Sequence, residues 1–383
     1  MNNIFIVSGE ESGDLHGASL IAALKKIAPE VKVAGMGGRR MKEAGLTGPD
    51  SKEVSVVGIV EVLEKLPTIL KRFKDLKAML EGGNFDAVVL IDFPDFNLRF
   101  AKDVKKLGIP IIYYISPQVW AWRKKRINKI AALVDKMLVV FPFEEALYKA
   151  KGVDVEYVGH PLADIANCDL TMRQAREKLY IPQDKIVISL LPGSRTGEIK
   201  RLLAPMLTAS GIITKELGEN KPVFLLPAAN SIDDSLINEF LKDSSIDLKV
   251  VRGQMYTALR ASDASIVTSG TATLETALIG TPMVIIYKMS SISFGVAKLL
   301  IDLKYAGLPN IVAGKKAVPE LIQSEATPEN MAKELLEILR DKKKKDAMIK
   351  DYKRIKKTLG GAGAANRAAA AINKVISQKR TNK

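Results

Sequence analysis

The stretch Ile186-Val187-Ile188-Ser189-Leu190-Leu191-Pro192-Gly193-Ser194-Arg195-Thr196-Gly197-Glu198 lies near the middle of a 383-residue chain. It reads as a buried strand that stops at a small, polar, glycine-bearing turn, with a helical pattern starting near Ile199. A strand, a turn holding Gly193 and Ser194, and a helix N-terminus make a phosphate cradle. Backbone N–H groups point outward there, and the helix dipole adds partial positive charge. Arg195 places a forked cation at the same spot. An ordinary strand-to-helix turn with a surface arginine fits these residues equally well, so the rest of the chain decides.

A second turn of the same kind follows downstream. A strand at 265–267 meets Thr268-Ser269-Gly270-Thr271-Ala272-Thr273-Leu274-Glu275. The small residues let a ligand approach the backbone N–H groups. Glu275 falls on the first turns of the next helix, where it could accept from a ribose diol or serve as a plain helix-start acid. Strands at 222–227, 248–251 and 282–287 alternate with helical patterns, including one running on to about Lys304. This is the alternation of an open parallel α/β sheet.

The first half repeats the architecture, with strands at 4–7, 31–35, 85–91, 109–115, 134–140 and 155–159. The first runs into Ser8-Gly9-Glu10-Glu11-Ser12-Gly13-Asp14-Leu15-His16-Gly17. Glycine at every fourth position is not a dinucleotide fingerprint, and Glu10 and Glu11 would repel a pyrophosphate. Carboxylates in such a loop suit sugar hydroxyls, although solvated acids on a tight turn are the plainer reading. The third strand ends in Asp92-Phe93-Pro94-Asp95-Phe96-Asn97, which sets Asp92 at the carboxyl end of a strand, where open α/β sheets bind ligands. Ser116-Pro117-Gln118-Val119-Trp120-Ala121-Trp122-Arg123 gathers both tryptophans at another strand end, as a sugar or lipid platform or as core. His160 follows a further strand, in Gly159-His160-Pro161. His16 lies far from it in sequence and no cysteine cluster exists, so a metal site is not expected.

Length suggests two domains, at roughly 100–200 residues each. The expected division is 1–165, 166–342 and a basic helical tail at 343–383 that packs back towards the first domain. Two doubly wound Rossmann-like domains would then face a central cleft. The single cysteine, Cys168, suits a reducing compartment. No apolar run reaches the ~18 residues a membrane span needs. The formal charge is +15, and residues 340–383 hold fifteen Lys/Arg against three Asp. That excess is a solvated tail, or it meets an anionic membrane or nucleic acid. Nucleic acid is disfavoured because no aromatics interleave with the charge.

Residues 54–80 carry Ile59, Val62, Leu63, Leu66, Ile69, Leu70, Phe73, Leu76 and Leu80 at helical spacing, with Pro67 expected to break or kink the run. Lys65, Lys71, Arg72, Lys74 and Lys77 line the polar face. Such a stripe lies on a membrane or packs on its own domain.

A P-loop, a nucleophile elbow and dinucleotide fingerprints are all missing from the sequence. A nucleoside diphosphate held by the second domain opposite an acceptor in the first is the economical reading, which means glycosyl transfer from a nucleotide sugar. The motifs quoted above, with Val57-Gly58-Ile59-Val60-Glu61-Val62-Leu63, Gly159-His160-Pro161-Leu162-Ala163-Asp164 and Leu308-Pro309-Asn310, resemble those of the lipid-A-disaccharide synthase family, in family order and over nearly the whole chain. Gln118 and Gly307 stand where the family pattern has serine.

The resemblance implies a GT-B fold and an inverting, metal-independent transfer with no cofactor. UDP-2,3-diacylglucosamine would donate to 2,3-diacylglucosamine 1-phosphate, giving a β-1,6-linked disaccharide 1-phosphate and UDP. It implies Asp92 as general base and Arg195 as stabiliser of the leaving UDP. Gly193, Ser194, Ser269, Gly270, Thr271, Glu275 and Asn310 would hold the donor, and Glu10, Glu11 and Trp120 would border the acceptor. Acylated substrates imply peripheral contact with anionic lipid on the cytoplasmic face of a Gram-negative inner membrane, through Leu63, Leu66, Ile69, Leu70 and Phe73. Oligomeric state stays open. The rival readings are a nucleotide-sugar 2-epimerase, a transferase for a lipid-linked peptidoglycan precursor, and a nucleic-acid binder.

Overall fold

The computed structural model describes residues 1–54, 65–121, 125–242, 246–289 and 304–381. The chain divides into two compact units, Met1–Pro161 with Leu359–Lys383, and Leu162–Thr358. Each is built on one parallel sheet.

In the first unit the strands are β1 (Asn3–Ser8), β2 (Lys32–Met36), β3 (Leu46–Thr47), β4 (Ala87–Ile91), β5 (Ile111–Tyr114), β6 (Lys136–Val139) and β7 (Val155–Tyr157), in the order β3-β2-β1-β4-β5-β6-β7. Continuous apolar runs form them because helices cover both faces of a parallel sheet. All of β4 is buried, and so are Ile4 to Val7. The strand order reverses between β1 and β4, which pair with Ser8 opposite Ile91.

The second unit repeats this with β8 (Val187–Leu191), β9 (Val223–Ala228), β10 (Leu248–Arg252), β11 (Ala264–Thr268), β12 (Met283–Tyr287) and β13 (Glu320–Ile322), ordered β10-β9-β8-β11-β12-β13. Its reversal falls between β8 and β11, where Leu191 lies opposite Val267. Sequence periodicity misses β3 and β13, which have two and three residues and therefore show no period.

Leu308-Pro309-Asn310 starts a helix, Leu308–Ala313. The expected helix running to Lys304 lies mostly outside the described residues.

Pro67 sits in the first turn of the helix Leu66–Glu81, a position that needs no N–H donor. Leu76 and Leu80 are buried in the first unit's core, and Ile69 and Phe73 pack against it. Phe73 meets Phe96 and Phe100 edge-on, at 5.4 and 5.7 Å. Leu66 and Leu70 stay 41% and 40% exposed. The described part of the stripe is thus largely core, with two leucines left over. Ile59, Val62 and Leu63 lie outside the described residues.

The basic C-terminal region forms two helices, Lys342–Thr358 in the second unit and Ala364–Thr381 in the first. The last packs on the helix Glu11–Ile27 and buries Ala368, Ile372 and Ile376. Arg367 ties it to the end of β7, its Nε donating to the Val158 carbonyl at 2.7 Å.

Candidate active site

Ligands in open α/β sheets bind beyond the carboxyl ends of the strands, where the strand order reverses. In the first unit that position is held by the segments leaving β1 and β4, which are Ser8-Gly9-Glu10 and Asp92-Phe93. In the second it is held by those leaving β8 and β11, which are Pro192-Gly193-Ser194 and Ser269-Gly270. Topology therefore puts Glu10, Asp92, Gly193, Ser194, Ser269 and Gly270 at the two reversal points.

Asp92 and Phe93 both adopt left-handed backbone, with φ of 44° and 47°. Ile115, leaving the neighbouring strand β5, has φ 66°. Such conformations cost non-glycine residues of order 1–3 kcal/mol each, and persist where the surroundings over-determine them. Here the Asp92 carbonyl accepts from Tyr113 Oη at 2.5 Å and Asn97 Nδ2 at 2.7 Å. The Phe93 ring lies over Gly9, where an added Cβ would come within 2.3 Å of it. Gly9→Ala therefore displaces Phe93. We expect it to lower kcat while far-ultraviolet circular dichroism stays parental; unchanged kcat would show that the contact is incidental.

Burial raises the Asp92 carboxyl to about 7, helped by repulsion from Glu10 and opposed by the Phe93 N–H. Glu10 is the N-cap residue of the helix Glu11–Ile27, and Glu11 is exposed. Asp14 turns inward instead, accepting from the N–H groups of Arg40 and Met41 at 3.1 and 3.0 Å.

Trp120 donates its indole N–H to Glu144 at 3.0 Å and packs edge-on against Phe141 and Phe143. Glu144 also accepts from the Phe141 N–H, and burial raises its carboxyl to about 7. Ser116 and Tyr148 share a 2.6 Å hydrogen bond beneath. Trp120 is thus anchored from its polar edge. Trp122 lies outside the described residues. The two histidines, distant in sequence, come together with ring centroids 6.3 Å apart. Burial lowers His16 to about 4 and His160 to about 3, so both are neutral near pH 7. Among the described residues no group of three or more His, Cys, Asp or Glu is placed to hold a metal ion.

In the second unit Gly193 has φ 121°, a conformation that favours glycine. The helix Thr196–Leu217 follows with Arg195 as N-cap residue. Sequence reading missed Glu198. Its carboxylate accepts from the N–H groups of Ser194 and Arg195 at 3.0 and 3.3 Å and pairs with Arg195 Nη1 at 3.2 Å. A carboxylate of the chain itself thus occupies the donors that the sequence reading assigns to phosphate. The spacing of Glu198 from the turn is a signal available in the sequence, that of an N3 helix cap. At the second turn, Ser269 Oγ donates to the Ala306 carbonyl at 2.9 Å and Thr271 opens the helix Thr271–Ile279, whose N-cap residue Gly270 offers no side chain. Glu275 accepts from Tyr256 Oη at 2.7 Å.

Asn310 is fully buried. Its Nδ2 donates to the Val318 carbonyl and to Glu320, and its Oδ1 accepts from the N–H groups of Ala317 and Val318, at 2.7 to 2.9 Å. These four bonds use the amide's full capacity. Glu320 in turn accepts from the N–H groups of Ala306 and Gly307. Asn310 therefore organises the 306–320 segment, to which Ser269 is tied. A groove of about 620 Å³ lined by Ile212, Glu216, Lys333 and Arg340 contains none of the candidate residues.

Solved structures with this architecture include the calicheamicin glycosyltransferase CalG4, with TM-score 0.62, 12% identity and 98% of both chains covered. The UDP-GlcNAc 2-epimerase of Neisseria meningitidis, solved with UDP-GlcNAc, matches with TM-score 0.62 and 13% identity, covering 98% of this chain and all of its own. The fold is that of the GT-B class, two Rossmann-like sheets shared by glycosyltransferases and epimerases. Sequence similarity separates the two. A model of the lipid-A-disaccharide synthetase family matches residues 4–375. The lipid-A-disaccharide synthase of Syntrophus aciditrophicus is 46% identical over 369 residues, covering 96% of each chain. The chain belongs to the lipid-A-disaccharide synthase family, a group of glycosyltransferases (EC 2.4.1.182) that act in lipid A biosynthesis.

Proposed function

We propose that the chain joins UDP-2,3-diacylglucosamine to 2,3-diacylglucosamine 1-phosphate, with inversion. Asp92 takes the proton of the acceptor 6-hydroxyl. The O6–C1 bond forms as the bond from C1 to the β-phosphate oxygen breaks, and the electron pair leaves with UDP. The observation that carries this reading is the Asp92 carboxyl, raised to about 7 and held on strained backbone at a strand-order reversal. A base near the working pH combines a large ionised fraction with real proton affinity. Glu10 and Glu11 border the acceptor, and Trp120 offers an aromatic face to it.

On the donor, Arg195 and the amides of Gly193, Ser194 and Ser269 to Thr271 meet the diphosphate, whose oxygens replace the Glu198 carboxylate on shared donors. Glu275, oriented by Tyr256, takes the ribose hydroxyls. Asn310 serves the donor indirectly, by holding the segment that carries Ala306 and Gly307. Mass analysis after incubating purified protein with both diacyl sugars and no added metal should give a tetraacyl disaccharide 1-phosphate. Unchanged substrates would defeat the proposal.

Acylated substrates call for contact with a lipid surface. No helix among the described residues is long and apolar enough to cross a membrane. Exposed Leu66 and Leu70, with exposed Lys71 and Lys74, supply the apolar and cationic parts of a peripheral contact with anionic inner-membrane lipid on the cytoplasmic side. Ile69 and Phe73 are unsuitable probes, because changing them disturbs the core. The double variant Leu66→Glu, Leu70→Glu should keep its melting temperature and lose sedimentation with anionic vesicles. Parental sedimentation would rule this face out as the lipid contact.

A further inference from the structure

Asn97 is fully buried in the first turns of the helix Pro94–Lys106, and its Nδ2 reaches back to the carbonyls of Ile91 at 3.2 Å and Asp92 at 2.7 Å. Tyr113, fully buried on β5, donates its hydroxyl to the same Asp92 carbonyl from the neighbouring strand. The Asp92 carbonyl is therefore clamped from two elements at the point where the chain turns left-handed. The Asn97 Oδ1 is buried and meets no hydrogen-bond partner among the described residues. Burial, followed by the Asp92 charge, pushes the Tyr113 phenol well above its ordinary value, so it stays a donor throughout the working range.

We propose that Tyr113 and Asn97 are positioning residues that fix the direction of the Asp92 carboxyl by holding its own backbone carbonyl. Two consecutive left-handed non-glycine residues relax towards ordinary backbone once the clamp is loosened, and the side chain at 92 swings with them. Neither residue touches substrate. Their effect on the reaction passes through the orientation and burial of one carboxyl.

The inference rests on Asp92 being the base, and the test separates the two claims. The variant Tyr113→Phe keeps the ring and removes one hydroxyl; Asn97→Ala removes the second donor. In each, kcat should fall about 10- to 100-fold, the scale of a misplacement of about 1 Å, with KM for both sugars near parental. The acid limb of the pH–rate profile should move to lower pH as the freed carboxyl gains water. A merely structural role would lower the melting temperature and leave kcat and the acid limb in place below it. If Asp92→Asn is inactive while Tyr113→Phe and Asn97→Ala keep parental kcat and an unmoved acid limb, the positioning role is overturned. If Asp92→Asn itself keeps the parental rate, the base assignment falls and the positioning claim with it.

Discussion

Replacing Asp92 by Asn should lower kcat by about 10²–10⁴-fold, the range a positioned general base supplies, while the folded protein at pH 8 becomes no less stable. The two halves of this result share one cause. The carboxyl titrates at about 7 in the folded protein against an ordinary value of 3.8. Between those values the folded state binds more protons than the unfolded chain. Stability therefore falls as pH rises from about 4 to 7 and stays reduced above it. Asparagine removes the charge that causes the loss and also the proposed base. The parental pH–rate profile should accordingly fall on its acid side near pH 7. Steady-state kinetics beside thermal melts at pH 5 and pH 8 check all three points. A near-parental kcat would remove Asp92 from the mechanism. A parental acid limb near 4 would show that its carboxyl is not held in the buried state.

Arg195→Ala should lower kcat by about 10²–10³-fold, the cost of removing one donor from a site that stabilises a developing anion. In the proposed reaction the UDP leaving group gains negative charge as the C1–O bond breaks, so a guanidinium beside it would contribute more in the transition state than in the bound substrate. The loss should therefore appear in kcat more than in KM. Stability should change little, because Arg195 is 54% exposed on its side chain and its pairing with Glu198 is a surface contact. Arg195→Lys should recover only part of the rate, since an ammonium cannot make the forked contact. Parental kcat in the alanine variant would show that the amide groups alone carry the leaving group.

Much of the architecture is legible in the order of residues. Buried parallel strands are continuous apolar runs, so β1, β4, β8 and β11 stand out, and the polar residues that end them mark the strand-order reversals. Asp92, Gly193, Ser194, Ser269 and Gly270 are readable for that reason. What surrounds them is not. Tyr113 reaches Asp92 from the next strand, and the bonds of Asn310 depend on a segment folding back on itself. No local pattern encodes either. Helical spacing finds the stripe through Ile69 and Phe73, but period alone cannot say which face meets the core and which leaves Leu66 and Leu70 in solvent. The two histidines look unrelated in sequence because their proximity is a product of the fold.

Transfer between two sugars is the central claim, and UDP release measured against acceptor tests it most directly. Purified protein with UDP-2,3-diacylglucosamine alone, or with an acceptor lacking its 6-hydroxyl, should release no UDP. Adding 2,3-diacylglucosamine 1-phosphate should release one UDP for each disaccharide formed. UDP released, or the donor sugar epimerised at C2, with no acceptor present would contradict it.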